Sequence, residues 1–152
     1  MNDLHGVKRS TVDEVNARVP LLRRIVRDAN GAWLRREDVR ARRLGSSGPA
    51  DRRDSGEAPS DLGLEELDLT EELRSYEREI RQLGGILSDP ESGTVDFFSL
   101  LRGRLVFLTW RLGDERVAYW REIGGGVSDR KPLPEDPGGD LHREKRPIQS
   151  EL

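Results

Sequence analysis

Two hydrophobic periods divide this chain, and the boundary between them falls near Gly85. Before it, apolar residues recur three or four apart: Val12, Val15, Val19, Leu22, Val26, Ala29 and Trp33, then Leu69, Leu73, Tyr76, Ile80 and Leu83. Each set lines one face of a helix. From Ile86 onward the apolar residues instead form short runs bounded by turn residues, as strands do. This order predicts an α+β fold: a two-helix antiparallel hairpin packed on a three- to four-stranded antiparallel β-meander.

The first helix is predicted over residues 11–43. Thr11 and Glu14 form a T-x-x-E capping box, in which each side chain satisfies a free backbone N–H of the other. Pro20 lacks the donor for the carbonyl of Asn16, so a kink or a fresh helix start is expected there. Residues 45–60 are rich in Gly, Ser, Pro and charge and read as a disordered linker. A second box, Asp68 with Glu71, is expected to open the second helix, and Gly84–Gly85 to end it. Residues 1–58 carry 13 basic and 9 acidic groups, whereas residues 59–99 carry 3 and 11. Opposite charge on two helices of matching stripe predicts that they face each other. Each stripe spans only about two to three heptads, which favours a partner helix within the chain over a coiled coil.

Beyond the helices, residues 86–88 and 94–97 flank the turn DPESG. SLLRG (99–103) reads as a connector. RLVFLTWR (104–111) is apolar on both alternating sets, as in a central strand covered on both sides. Gly113–Asp114 turns the chain, and VAYWREI (117–123) returns.

Composition excludes several functions. The chain has no cysteine, so disulfides, thiolate nucleophiles and cysteine-based zinc sites are absent, and a reducing cytoplasm is expected. No run approaches the roughly 20 apolar residues of a membrane span. Charged residues (36%) outnumber hydrophobic ones (34%), so part of the chain cannot bury enough to fold. The expectation is a flexible segment at 1–10, a single domain at 11–133 and a disordered tail at 134–152.

Three segments carry a likeness to a known family. TVDEVNARVPLLRRIV, LGGILSDPESGTVDF and WRLGDERVAYWREIGGGVSDRKPL resemble the bacterial domain of unknown function 2203 family. The matching positions include Glu14, Asn16, Pro20, Asp89, Gly93, Asp96, Trp110, Arg111, Tyr119, Trp120, Glu122, Arg130 and Pro132. The resemblance brings no activity with it. It implies a histidine where this chain has Arg121 and a cysteine where it has Thr109. If that histidine did chemistry in the family, this protein lacks it, because arginine is neither a metal ligand nor a general base.

Six of the eight aromatic residues lie between Phe97 and Trp120. Strand aromatics beside arginines can stack bases, but rings dominate burial in small domains, and core is the preferred reading. Asp96, Arg111, Tyr119, Glu122 and Arg130 are the candidate binding residues, able as a cluster to hold an anion or position a water. The bland alternative is an ion pair locking the hairpin. The register of that hairpin is open by one residue, which decides which side chains share a face. The paired glutamates of the second helix sit on a face expected to be wet, whereas acid–base work needs two carboxylates in different environments. His5 and His142 have no ligand spacing, so no metal and no cofactor is expected. GGGVSD lacks the setting of a phosphate loop, and no nucleophile motif occurs. Arg23, Arg24, Arg27, Arg35, Arg36, Arg40, Arg42 and Arg43 make the first helix basic, but the acidic second helix opposes a nucleic-acid role. The leading expectation is a non-catalytic interaction module with a protein partner or itself. The alternatives are an anion- or small-molecule-binding protein or enzyme around the candidate cluster, and nucleic-acid binding through the first helix.

Overall fold

The computed structural model describes residues 8–46, 60–126 and 129–134. Helices α1 (Val12–Ser46) and α2 (Asp61–Gln82) precede strands β1 (Gly85–Asp89), β2 (Thr94–Leu101), β3 (Arg104–Arg111), β4 (Tyr119–Arg121) and β5 (Lys131–Pro132). The strands form one antiparallel sheet in sequential order. The fold is therefore α+β, two helices followed by a meander, with five strands where three or four were expected. The extra strand is the two-residue β5, too short to leave an alternating pattern.

α1 opens with the anticipated capping box: Thr11 N–H donates to Glu14 Oε1 at 2.8 Å, and Glu14 N–H to Thr11 Oγ1 at 3.1 Å. It runs to Ser46 with Pro20 inside it, a length of about 52 Å. Ser10, just before it, is buried and donates its N–H to Phe98 O at 2.7 Å. α2 starts seven residues before the D-x-x-E box. Ser60 is its N-cap and accepts from Gly63 N–H at 3.1 Å, which satisfies one of the helix's orphan donors. The first turns also hold an ion-pair cluster: Glu66 accepts from Arg40 at 2.5 Å and Arg43 at 2.9 Å. Arg35 pairs with Glu72 at 3.0 Å. These contacts join the basic and acidic helices along their outer halves. Of the expected linker, residues 47–59 lie outside the described residues, as do 1–7 and 135–152.

The segment SLLRG is not a connector. Ser99, Leu100 and Leu101 complete β2, and the turn is only Arg102–Gly103, at φ 54° and 77°. Two left-handed residues match the twist of a two-residue hairpin, and a non-glycine at the first position concealed it in the sequence. Gly85 is fixed by space instead: a Cβ there would lie 2.7 Å from Val95 Cγ1.

One face of the sheet carries Val95, Phe97, Leu101, Val106, Leu108 and Trp110, which pack on Val12, Val15, Val19, Leu22, Ile25 and Val26 of α1 and Ile80 of α2. Farther out, Ala29, Ala32 and Val39 are buried, as are Leu69 and Leu73 of α2. Both helical stripes are thus covered from within the chain. Each fully buried Val, Leu or Ile contributes about 1.5–3 kcal/mol. α1 also grips the sheet's turns: Asn30 Nδ2 donates to Pro90 O at 2.9 Å and Glu91 O at 2.7 Å, and Arg23 to Asp114 O and Glu115 O, both at 3.2 Å.

Candidate functional site

Alternation along β2 and β3 forces neighbouring side chains to opposite faces. Phe97 and Trp110 therefore fill the core, while Phe98 and Phe107 lie half-buried on the other face, outside the core cluster. The expectation that the rings form one interior holds only for the first set. β3 is covered by helices on one side alone.

The register puts Ile86, Asp96, Thr109, Tyr119 and Pro132 in one row across all five strands of this second face. The next row holds Phe98, Phe107 and Arg121, and the row on the other side Thr94 and Arg111. Cross-strand neighbours share a face, so the face grades from an apolar end (Leu100, Leu105, Phe98, Phe107) to a polar corner at Arg111.

Asp96 sits at the centre with no exposed surface. Its Oδ1 accepts from Thr109 Oγ1 at 2.7 Å and Arg121 Nε at 3.3 Å. Its Oδ2 accepts from Arg121 Nη2 at 2.5 Å and from Ser88 Oγ. Arg121 is 7% exposed, lies over the Phe107 ring at 4.9 Å, and also donates to Gly125 O. The carboxylate is thus filled by four donors, and the charge beside it is paired, as a buried ion pair requires. Thr109 and Arg121 both touch this one carboxylate.

Arg111 lies one row away, opposite Thr94. Its Nε is buried without a hydrogen-bond partner, and no ion pair to its guanidinium occurs among the described residues. Asp89 is the acid on its row, but that carboxylate accepts from Glu91 N–H at 3.2 Å and Ser92 Oγ at 2.7 Å. Asp114 Oδ2 accepts from the backbone N–H of Arg111 at 3.0 Å and from Arg130 Nη1 at 3.2 Å. Arg130 in turn stacks on Tyr119 at 4.0 Å. Asp114 therefore ties the strand end bearing Arg111 to the arginine that covers Tyr119.

Of the five candidates, Arg111, Tyr119 and Arg130 come together at one corner, and Asp96 occupies the adjoining row. Glu122 does not join them. It is two residues from Trp120, on the core side, and pairs with Arg104 at 2.9 Å and Lys131 at 4.0 Å. These two cations flank the Trp120 ring at 5.7 and 5.0 Å. Glu122 also lines a shallow cleft of about 330 Å³ with Gly125, Asp129, Arg130 and Lys131. The sequence reading did not select Arg121, Thr109, Ser88 or Asp114. Fixing Tyr119 opposite Thr109 would have found Arg121, because that register puts it on the face of Asp96.

No three His, Asp or Glu side chains among the described residues gather as metal ligands, and no described helix is long and apolar enough to cross a membrane. A family model described as Uncharacterized conserved protein (DUF2203) matches residues 8–133. No curated protein and no solved structure matches the chain.

Proposed function

The chain belongs to the DUF2203 family of uncharacterized conserved proteins, and on that premise we propose that it is a non-catalytic binding module for an anionic ligand, with the helix-free face of the sheet as its working surface. One observation carries this reading: the second face holds a guanidinium, Arg111, with a buried and unpartnered Nε. A guanidinium cannot shed its charge, and a buried donor without an acceptor costs about 1–3 kcal/mol. An anion at the Nη groups would instead pair a charge that no acid among the described residues neutralises.

The non-catalytic part rests on Asp96. A general base needs a free lone pair within reach of a substrate proton. Asp96 is inaccessible and accepts four hydrogen bonds. Arg121 beside it has no basic lone pair to offer.

Nuclear magnetic resonance of the labelled protein, titrated with acetate, phosphate and sulfate, tests the reading. Saturable shifts at Arg111 Nε–Hε and the Tyr119 ring, absent in Arg111→Met, are expected. Shifts spread over the arginines of α1, or none at Arg111, would overturn it.

A further inference from the structure

The two helices outrun the sheet that holds them. The core cluster takes α1 from Val12 to Val26 and Ile80 from α2, with Tyr76 and Leu83 packed against it. Asn30 is tied to the turn at Pro90 and Glu91. Beyond these points α1 and α2 run on with each other as partners. We infer that this outer half, residues 31–46 and 61–73, is a separate opening unit, hinged at Gly31 and latched by Glu66, which unzips while the sheet and the inner helices stay folded.

Packing marks the boundary. The inner helices share one continuous buried cluster with the sheet. The outer half buries Ala32, Val39, Leu69 and Leu73, while Leu34, Leu44, Leu64 and Leu67 stay exposed. Local opening starts where few buried apolar contacts resist it.

Gly31 marks the hinge. It lies inside α1, where glycine supports a helix less than any residue except proline. Packing does not demand it: a Cβ there would meet the end of the flexible Arg35 side chain at 3.4 Å. The helix is therefore weakest one residue past Asn30, its anchor to the sheet's turns.

Charge makes the latch. Glu66 accepts from Arg40 with one oxygen and from Arg43 with the other, and Arg35 pairs with Glu72. Arg40 and Arg43 are 40% and 37% exposed, so salt reaches these pairs. The screening length shrinks from about 10 Å at 0.1 M to about 3 Å at 1 M. Opening is therefore favoured by salt as well as by loss of Glu66. It bares the stripe of Ala32, Val39, Leu69 and Leu73 and leaves the Arg111 corner in place, so this inference stands apart from the anion-binding reading.

Native-state hydrogen exchange of the whole chain tests it. The probes are the amides of Val39 and Leu69 in the outer half and of Leu22 and Val26 in the inner half. The outer amides are expected to exchange at least about tenfold faster. Substitutions then separate two units from one. Ile80→Val should speed the inner amides about two- to tenfold and leave the outer ones unmoved, because the outer half opens without the core. Glu66→Gln should speed both sets alike, about fivefold, because the core unfolds only after the outer half has opened. Gly31→Ala should slow the outer amides about fivefold. Sodium chloride raised from 0.1 to 1 M should speed the outer amides, and less so in Glu66→Gln. Equal exchange in both halves, or acceleration of both by Ile80→Val, would overturn the inference, because the domain would then open as one unit. An unchanged rate in Gly31→Ala would overturn the hinge, and an unchanged rate in Glu66→Gln the latch.

Discussion

Arg121 reaches from β4 across the whole width of β3 to Asp96 on β2, ending with Nη2 2.5 Å from Oδ2. The link staples three strands on the side of the sheet that no helix supports. Removing one partner leaves the other charge buried alone, which costs about 3–5 kcal/mol. Asp96→Asn is therefore expected to lower unfolding free energy in urea by that amount. Replacing both at once, Asp96→Leu with Arg121→Met, should cost far less than the sum of the single changes. Additive losses in that cycle would show that the pair is not coupled.

Glu66 connects the helices through Arg40 and Arg43. Its carboxyl is held below the usual range, chiefly by the hydrogen bond from Arg40 and, against desolvation, by that from Arg43. A carboxyl whose folded pKa is depressed stabilises the fold fully above its unfolded value, near 4.3. That contribution fades as pH falls through the folded value. Stability of the hairpin should therefore drop below about pH 4. Glu66→Gln should lose about 1 kcal/mol at pH 7, the scale of a solvent-screened pair, and flatten the acid limb of a melting-temperature profile. An unchanged acid limb would assign it to other carboxyls.

Gly85 has no room for a side chain: a Cβ would stand 2.7 Å from Val95 Cγ1 and 3.0 Å from the Phe97 ring. Gly85→Ala should cost about 1–3 kcal/mol by overpacking. Adding Val95→Ala should return part of it, since the clash is with one methyl. If the double variant is no more stable than the sum of the single losses, the penalty lies in the backbone.

How much of this was legible in the sequence follows from which residues carry local signals. Thr11 and Glu14 announce α1 because a capping box is written within four residues. The start of α2 was missed because its cap is the lone Ser60, and because Glu66, which anchors its first turns, finds its partners on α1. β2 was cut short at Phe97 because Arg102, not Gly or Asn, opens the turn after it. The candidate site suffered from the same limit. Asp96, Arg111, Tyr119 and Arg130 were legible as polar residues among apolar strands. Whether Arg121 or Glu122 joined them depended on the β3–β4 register. The segment leading into β4 is held to α1 by a contact between residues 101 apart in sequence.

That contact is Asn16. Its Oδ1 accepts the N–H of Val117 at 2.8 Å, and Val117 is 3% exposed. Since Tyr119 follows two residues later, α1 fixes where β4 begins and so which side chains of β4 meet Asp96. Asn16→Ala leaves a buried N–H unpaired and should cost about 1–3 kcal/mol. Asn16→Asp keeps an acceptor and should cost less. Hydrogen exchange at the Val117 amide separates this role from general weakening of α1. Protection there should fall selectively in Asn16→Ala, while the amides of Val19 and Leu22 keep theirs. Uniform loss along α1 would mean that Asn16 supports the helix and not the register.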